Sequence, residues 1–326
     1  MPQGKSHGLV MFIDWSGSMT GHLGNTMKQL MNLVLFCKKV NIPYEVYSFL
    51  DGSDADYNYS KERKKNQDLV IHGFALINIL SSRMSASDFT TAASMLMKMS
   101  GAFGSHGRGR VGTPSFMCMG GTPLNETAIA AMEIVPKFQK RNRLQIVNTV
   151  FLTDGEGSLL NRHYENGYQQ SANFTHMVIR DPKTCEETVY DNSNAWRSGM
   201  LQTDCLLKLL KIRTNSHVIG FFVGSINDVL SRENYFWPDR CNDVNDKYKN
   251  REEIKEKFRK ENSLVINSTA FDDYYILRSS GLDTDDEELT FSAKATTRGM
   301  ANAFSKYAGN KISSRVILNR FIGLIT

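Results

Sequence analysis

Apolar and polar positions along the chain switch repeatedly between two periods. Leu9 to Ile13 is an unbroken apolar run, the pattern of a strand covered on both faces, whereas Met27, Leu30, Met31, Val34 and Leu35 recur at the spacing of one helix face. Pro43 then leads into Tyr44 to Leu50, closed by Asp51-Gly52, so the opening segment predicts a βαβ unit. Such a unit carries parallel strands joined by a right-handed crossover, and it belongs to an open α/β sheet.

The alternation continues downstream. Leu69 to Leu80 predicts a long edge strand, Asp88 to Met99 a helix opening near Ser85 or Ser87, and Gly101 to Gly121 a glycine-rich surface loop. Pro123 suits the first turn of a further helix whose buried face is Leu124, Ala128, Ala131 or Met132, and Val135. Leu144 to Leu152, rich in Ile, Val and Phe, reads as a strand again.

Residues 155–200 are polar and too long for a simple connection, which marks an insertion. Met177 to Arg180 and Glu187 to Tyr190, on either side of Asp181-Pro182, predict a hairpin inside it. The core pattern resumes with a helix through Leu206, Leu207, Leu209 and Leu210 and a strand from His217 to Gly224. A last strand, Leu264 to Leu277, is interrupted by Asp272-Asp273. Before it, Arg251 to Lys260 sets Glu253 against Lys257 and Glu256 against Lys260, the pattern of a solvated helix face. Asp283 to Glu288 reads as an acidic linker, and Thr296 to Tyr307 and Ile312 to Ile325 as closing helices.

Composition narrows the function classes. With 41% hydrophobic positions, the 326 residues can bury a sizeable core. The 39 basic and 34 acidic residues leave a formal charge of only +5 with no basic stripe, which argues against a nucleic-acid binder. Cys37, Cys118, Cys185, Cys205 and Cys241 are odd in number and form no Cys-x-x-Cys pair, as expected of free thiols in a reducing compartment. No run approaches the ~18 apolar residues of a membrane span, and Leu9 to Ile13 is too short for a signal-peptide core. The expected location is therefore the cytoplasm, a host's cytoplasm if the gene belongs to a phage. Asn-x-Ser/Thr sequences at Asn58, Asn125, Asn173 and Asn267 carry no glycosylation meaning there. The first strand starts close to Met1, as it would in the C-terminal part of a longer chain.

The candidate chemistry begins where the first apolar run stops, at Asp14-Trp15-Ser16-Gly17-Ser18. An extended backbone turns residues i, i+2 and i+4 to one side, so Asp14, Ser16 and Ser18 can converge beyond the strand end. Their oxygens suit a hard cation such as Mg2+, which needs no His or Cys. A second stretch is Gly120-Gly121-Thr122-Pro123-Leu124, where Thr122 stands at a helix entrance and the paired glycines let the backbone approach something closely. Taken alone, Thr122 would serve as a plain N-cap. Third, Thr153-Asp154-Gly155 follows a buried strand, so Asp154 occupies the sheet edge at which open α/β folds bind ligands. By itself an Asp-Gly pair is an ordinary turn.

Together these stretches resemble the von Willebrand factor type A (vWA) family and its metal-ion-dependent adhesion site, the Asp-x-Ser-x-Ser, Thr, Asp set. Its counterparts here are Asp14, Ser16, Ser18, Thr122 and Asp154. The resemblance implies a three-layer, Rossmann-like α/β fold with a mostly parallel sheet, helices on both faces, and loop and hairpin insertions near 101–121 and 155–200. Residues 1–326 would form one such domain, closed by helices over about 294–326. It also implies a bound Mg2+, with Mn2+ or Ca2+ as substitutes, held by the two serines and the threonine, while the aspartates act largely through water. A protein partner then supplies an Asp or Glu to the remaining position of the ion. The motifs are most similar to intracellular vWA proteins, among them the vWA subunits of cobalt and magnesium chelatases and the partners of MoxR-type AAA+ ATPases; similar chains occur in large tailed phages. The implied role is a non-catalytic adaptor of such an ATPase, and for a phage chain an assembly or virion component. Trp15 stands where a small or polar residue is commoner, and we expect it to bear on partner choice more than on metal binding.

Other motifs fail on context. Asp54, Asp56 and Asn58 begin like a calcium loop, but Tyr59 and Lys65 replace its Gly and Glu. Gly107 to Gly112 matches the dinucleotide fingerprint without the strand that must precede it. The charge run Lys61 to Lys65 reads as a solvated loop, and His163-Tyr164-Glu165 lacks the cysteines of a zinc deaminase. No Gly-x-Ser-x-Gly elbow or His-Glu-x-x-His occurs. The rival to an adaptor is a metal-assisted hydrolase using the same cation, with Glu156 as the nearby candidate base.

Overall fold

The computed structural model describes residues 6–51, 65–71, 74–104, 119–163, 176–191, 198–236, 244–267 and 270–278, together with Pro114, Met117 and Ile317. Strand β1 (His7–Asp14) runs through a 3-10 turn at Ser18–Gly21 into helix α1 (Leu23–Lys39) and returns as β2 (Tyr44–Asp51), parallel to β1. That is the expected βαβ unit. Next come β3 (Leu69–Val70), β4 (Phe74–Ser81), α2 (Ala86–Gly104), α3 (Leu124–Asn142) and β5 (Ile146–Thr153). The later part holds β6 (Asn161–Arg162), β7 (His176–Arg180), β8 (Glu187–Asp191), α4 (Ser198–Thr214) and β9 (His217–Gly224). It closes with α5 (Ile226–Ser231), α6 (Glu233–Phe236), α7 (Val244–Glu261), β10 (Ser263–Ile266) and β11 (Asp273–Arg278).

Seven strands form the central sheet in the order β10-β11-β9-β5-β1-β2-β4. The five inner strands are parallel, and the two edge strands β4 and β10 run antiparallel to their neighbours. Alternate residues of β1 serve opposite layers: Leu9, Met11 and Ile13 pack with α1 and α2, and Val10 and Phe12 with α3 and α4. Burial on both faces is why β1 reads as a continuous apolar run. The fold is thus three-layered, mixed α/β and Rossmann-like. From β1 the chain winds outward to β2 on one side, and from β5 outward to β9 on the other, so the strand order reverses between β1 and β5. In open α/β sheets ligands bind beyond the strand ends at such a reversal.

Several expected elements have different bounds. Leu69 to Leu80 is two strands: Leu69–Val70 pairs with Asn161–Arg162 in a separate ribbon, and only Phe74–Ser81 joins the sheet, at its edge as expected. Leu264 to Leu277 likewise divides, because Asp272 turns the chain by accepting the Val218 amide at 2.8 Å, and Ser263–Ile266 then pairs antiparallel with Asp273–Arg278. Gly101 to Gly104 extend α2 and are not loop. Ser85 does open that helix, its hydroxyl accepting the Asp88 amide at 3.1 Å. The 155–200 insertion contains the hairpin, β7 against β8, at nearly its expected bounds. Among the described residues of α7 the ion pairs are Arg251 with Glu233 and Lys255 with Glu252, in place of the expected i,i+4 pairs. Cys37 and Cys205 are buried free thiols and Cys185 is an exposed one. The calcium-like loop apart from Lys65, the Gly107 to Gly112 motif, Cys118, Cys241, the acidic linker and the closing helices except Ile317 lie outside the described residues. No helix among the described residues is long and apolar enough to cross a membrane.

Candidate metal centre

The reversal point brings the three predicted stretches together. Asp14 is the last residue of β1, and Asp154 immediately follows Thr153, the last residue of β5. Asp14 is fully buried; its Oδ1 accepts the Ser16 amide at 2.8 Å and its Oδ2 accepts the Thr153 hydroxyl at 2.6 Å. Burial pushes its carboxyl up to about 6, opposed by the hydrogen bonds from Thr153 and Ser16 and reinforced by the charge of Asp154. A carboxylate whose two oxygens are already engaged is fixed in place behind the hydroxyls and does not swing freely.

The hydroxyls lie in front of it. Ser16 Oγ and Ser18 Oγ are 3.0 Å apart, and Ser18 Oγ donates to Asp154 Oδ1 at 2.8 Å. Burial raises the Asp154 carboxyl as well, against the lowering effect of Ser18. The Gly120 segment is stitched alongside: Ser16 and Gly120 form a parallel bridge, and the Gly17 amide donates to the Gly120 carbonyl at 3.0 Å. Thr122 therefore arrives beside the same loop. A Cβ added to Gly155 would lie 3.2 Å from Thr122 Oγ1, so the glycine after Asp154 is what admits the threonine.

Thr122 is not an N-cap. Helix α3 starts at Leu124, the cap position falls on Pro123, and no side chain caps the helix. Among the described residues the Thr122 hydroxyl makes no hydrogen bond, which leaves its lone pairs available to a ligand. The buried face of α3, by contrast, contains Leu124, Ala128, Ala131, Met132 and Val135, as its periodicity predicts.

The donor set fits a small hard cation. Octahedral ligands at Mg2+ distances stand about 2.9 Å from their neighbours, close to the Ser16–Ser18 and Ser18–Asp154 separations. Among the described residues no three His, Cys, Asp or Glu side chains gather at metal-binding range. A cation at this edge would meet the Ser16, Ser18 and Thr122 hydroxyls, with Asp14 and Asp154 supplying negative charge.

Other participants were not evident in the sequence. Thr153 holds Asp14, and only the pairing of β1 with β5 reveals it. Trp15 is fully buried, its indole N–H donating to the Met117 carbonyl at 3.2 Å, so it anchors the loop from inside. Asn125 ties the Asp154 loop to α4: its Nδ2 donates to the Ser158 carbonyl at 2.8 Å and to Gln202 Oε1 at 3.0 Å, and Thr203 donates to its Oδ1 at 2.6 Å. Glu156 is at the rim, with Oε1 accepting from Arg232 Nε at 3.0 Å.

No known family's sequence model matches the chain, and no curated protein matches it. Among solved structures, two forms of the pilus adhesin SpaC from Lactobacillus rhamnosus GG align over 94% of this chain at 14% and 12% identity, each with a TM-score of 0.39. The human COPII-coat protein Sec24c aligns over 68% of this chain at 10% identity and a TM-score of 0.25. This chain spans 30% of the adhesin's length and 27% of the coat protein's. Likeness at that level says nothing of activity or partners.

Proposed function

We propose that the chain is a vWA-type module whose adhesion site holds a divalent cation, Mg2+ first and Mn2+ or Ca2+ as substitutes, and binds a protein partner without catalysing a reaction. The supporting observation is the Asp14–Ser16–Ser18–Asp154 hydrogen-bonded row at the sheet reversal, with the Thr122 hydroxyl free beside it. When bound, the cation supplies a positive centre that can accept a carboxylate oxygen from outside. Ser16, Ser18 and Thr122 would hold it; Asp14 and Asp154 would neutralise it, and Thr153 would keep Asp14 in place.

The partner we infer is an AAA+ ATPase of the MoxR or chelatase type in the cytoplasm, on the strength of the three motifs. An ATPase gene of that kind beside this one supports the reading, and a neighbourhood of structural virion genes replaces it with an assembly role. The hydrolase alternative has less support, because Glu156 is paired with Arg232 and suits a rim carboxylate better than a general base. Mg2+-dependent turnover that disappears in Glu156→Gln would reinstate it.

Calorimetric titration of Mg2+ into the full chain and into Asp14→Ala tests the site. We expect saturable binding by the wild type and loss of the ion at this site in the variant, with the circular dichroism of the two unchanged. Undiminished binding by Asp14→Ala refutes the site.

A further inference from the structure

The alternation of side chains along β7 and β8 turns one face of the hairpin inward and one outward. Ile179, Thr188 and Tyr190 are buried on the inner face, within the layer that holds α3 and α4. Cys205 Sγ on α4 donates to the Val189 carbonyl at 3.5 Å, and Arg213, near the end of that helix, donates to Asp181 at 3.0 Å and also to Glu133 on α3. The hairpin is therefore a fixed plate on the body of the fold.

Its outward face carries His176, Val178 and Arg180 from β7 and Glu187, Val189 and Asp191 from β8. The register sets His176 against Asp191, Val178 against Val189 and Arg180 against Glu187. His176 Nε2 stands 3.0 Å from Asp191 Oδ1, and Arg180 Nε 3.8 Å from Glu187 Oε1. The valines are 60% and 68% exposed, and all four charged side chains are more than half exposed.

Opposite charges across a hairpin stabilise it whichever strand carries which sign. Here both basic residues are on β7 and both acids on β8, with the valine pair between them. That sorting adds nothing to the hairpin itself, but it makes the face the complement of its own copy. A second copy turned about a two-fold axis parallel to the strands lays its β7 over this β8. Arg180 of each copy then faces Glu187 of the other, His176 faces Asp191, and Val178 meets Val189. An axis running across the strands would set bases on bases and acids on acids, so the charge pattern selects one arrangement.

We propose that the outward face of the β7–β8 hairpin is a homodimer interface, covered by the same face of a second copy of this chain, sheet packed on sheet about a two-fold axis. The inference is independent of the cation site, since no residue of the Asp14 centre takes part. Five residues of each strand give a contact of roughly 17 Å by 10 Å. That is well below the roughly 800 Å² per partner of a stable complex, so the dimer is reversible, with a Kd of about 0.1–1 mM.

Sedimentation equilibrium of the full chain in EDTA, from about 10 µM to 1 mM, reads the association. We expect the weight-average mass to climb from one chain toward two, and less steeply in about 0.5 M salt, which screens the charge pairs. His176→Glu with Arg180→Glu makes the face wholly acidic, and Glu187→Lys with Asp191→Lys makes it wholly basic. Each double variant alone should stay monomeric, whereas an equimolar mixture of the two should form a mixed dimer at least as readily as the wild type does. Recovery on mixing separates a contact between copies from damage to the hairpin, and circular dichroism checks that each variant is folded. Val178→Thr with Val189→Thr keeps β-branched residues in both strands and should also abolish the dimer. A wild type that is monomeric up to about 1 mM overturns the proposal and leaves the face to a different protein. A dimer that both charge variants retain overturns it too, as does a mixture of folded variants that stays monomeric.

Discussion

The Thr153 hydroxyl donates to Asp14 Oδ2 at 2.6 Å, joining the last residue of β5 to the last residue of β1 across the strand reversal. The bond fixes the carboxylate before any ligand arrives. Hydrogen bonds to a charged group contribute about 1.5–3 kcal/mol, and residues that orient metal-site acids commonly alter metal affinity roughly 10- to 100-fold. Thr153→Val keeps the shape and removes the donor. We expect urea unfolding at pH 7 to show a loss within that energy range, and Mg2+ affinity to fall at least about tenfold. Thr153→Ser should retain both. Unchanged affinity in Thr153→Val would mean that Ser16 alone orients Asp14.

Metal-free protein should lose stability as pH rises through the weakly acidic range. Burial raises Asp14 from 3.8 to about 6, so between those values the folded chain keeps a proton that the unfolded chain has released. Unfolding then liberates protons, and stability falls with increasing pH. The two-unit span corresponds to roughly 3 kcal/mol, all of it lost above pH 6. Glu126, raised from 4.5 to about 7, extends the decline in the same direction. Urea melts in EDTA from pH 4 to pH 7.5 should show this slope, and Asp14→Asn should flatten its lower part. Saturating Mg2+ at pH 7.5 should restore the wild type but not the variant. A flat wild-type profile in EDTA would contradict the burial of these acids.

Trp15 should matter to stability more than to partner choice. Its side chain is fully enclosed, its indole holds the Met117 carbonyl, and its amide donates to the Phe49 carbonyl at 3.0 Å. Trp15→Phe strands that carbonyl and leaves a void, at a cost of about 1–3 kcal/mol. We expect thermal unfolding at a lower temperature, with partner binding preserved at temperatures where the variant is folded. Loss of partner binding by a fully folded variant would restore the recognition role that its position in the motif suggests.

How much of this was legible follows from sequence distance. The βαβ unit, the hairpin and the apolar face of α3 rest on periodicity and turn chemistry within short windows, so they could be read directly. Asp14, Ser16 and Ser18 fall within one strand end, and Thr122 and Asp154 carry local context of their own. Thr153 and Met117, however, meet their partners across 139 and 102 positions, and nothing in their own neighbourhoods marks them. The division of Leu264 to Leu277 was hidden for a related reason, since the aspartate that turns the chain does so by capping the distant Val218 amide. Glu126 illustrates the remaining gap: in sequence it is an ordinary acidic residue of a helix's first turn, and only its burial makes it conspicuous.

Partner binding should require both the cation and Thr122. Ser16, Ser18 and Thr122 are neutral donors, and Asp14 has both oxygens occupied by protein hydrogen bonds, so a cation among them is poor in direct negative charge. A carboxylate from a partner therefore gains more at the open position than water does. The entrance to α3 adds to this, because no side chain caps it and its amides favour an anion in front of them. Thr122→Ala deletes a hydroxyl that makes no hydrogen bond among the described residues, and should leave unfolding unchanged while weakening the partner at least about tenfold, more than 1 kcal/mol. Pull-downs with the cognate ATPase in Mg2+, in EDTA, and with Thr122→Ala in Mg2+ measure this. We expect recovery only in the first. An Asp-to-Asn scan of the partner's exposed acids should then find one position that reproduces the EDTA result. Equal recovery under all three conditions would defeat this mode of binding and point to the β7–β8 hairpin, whose Val178 and Val189 are 60% and 68% exposed, as the docking surface.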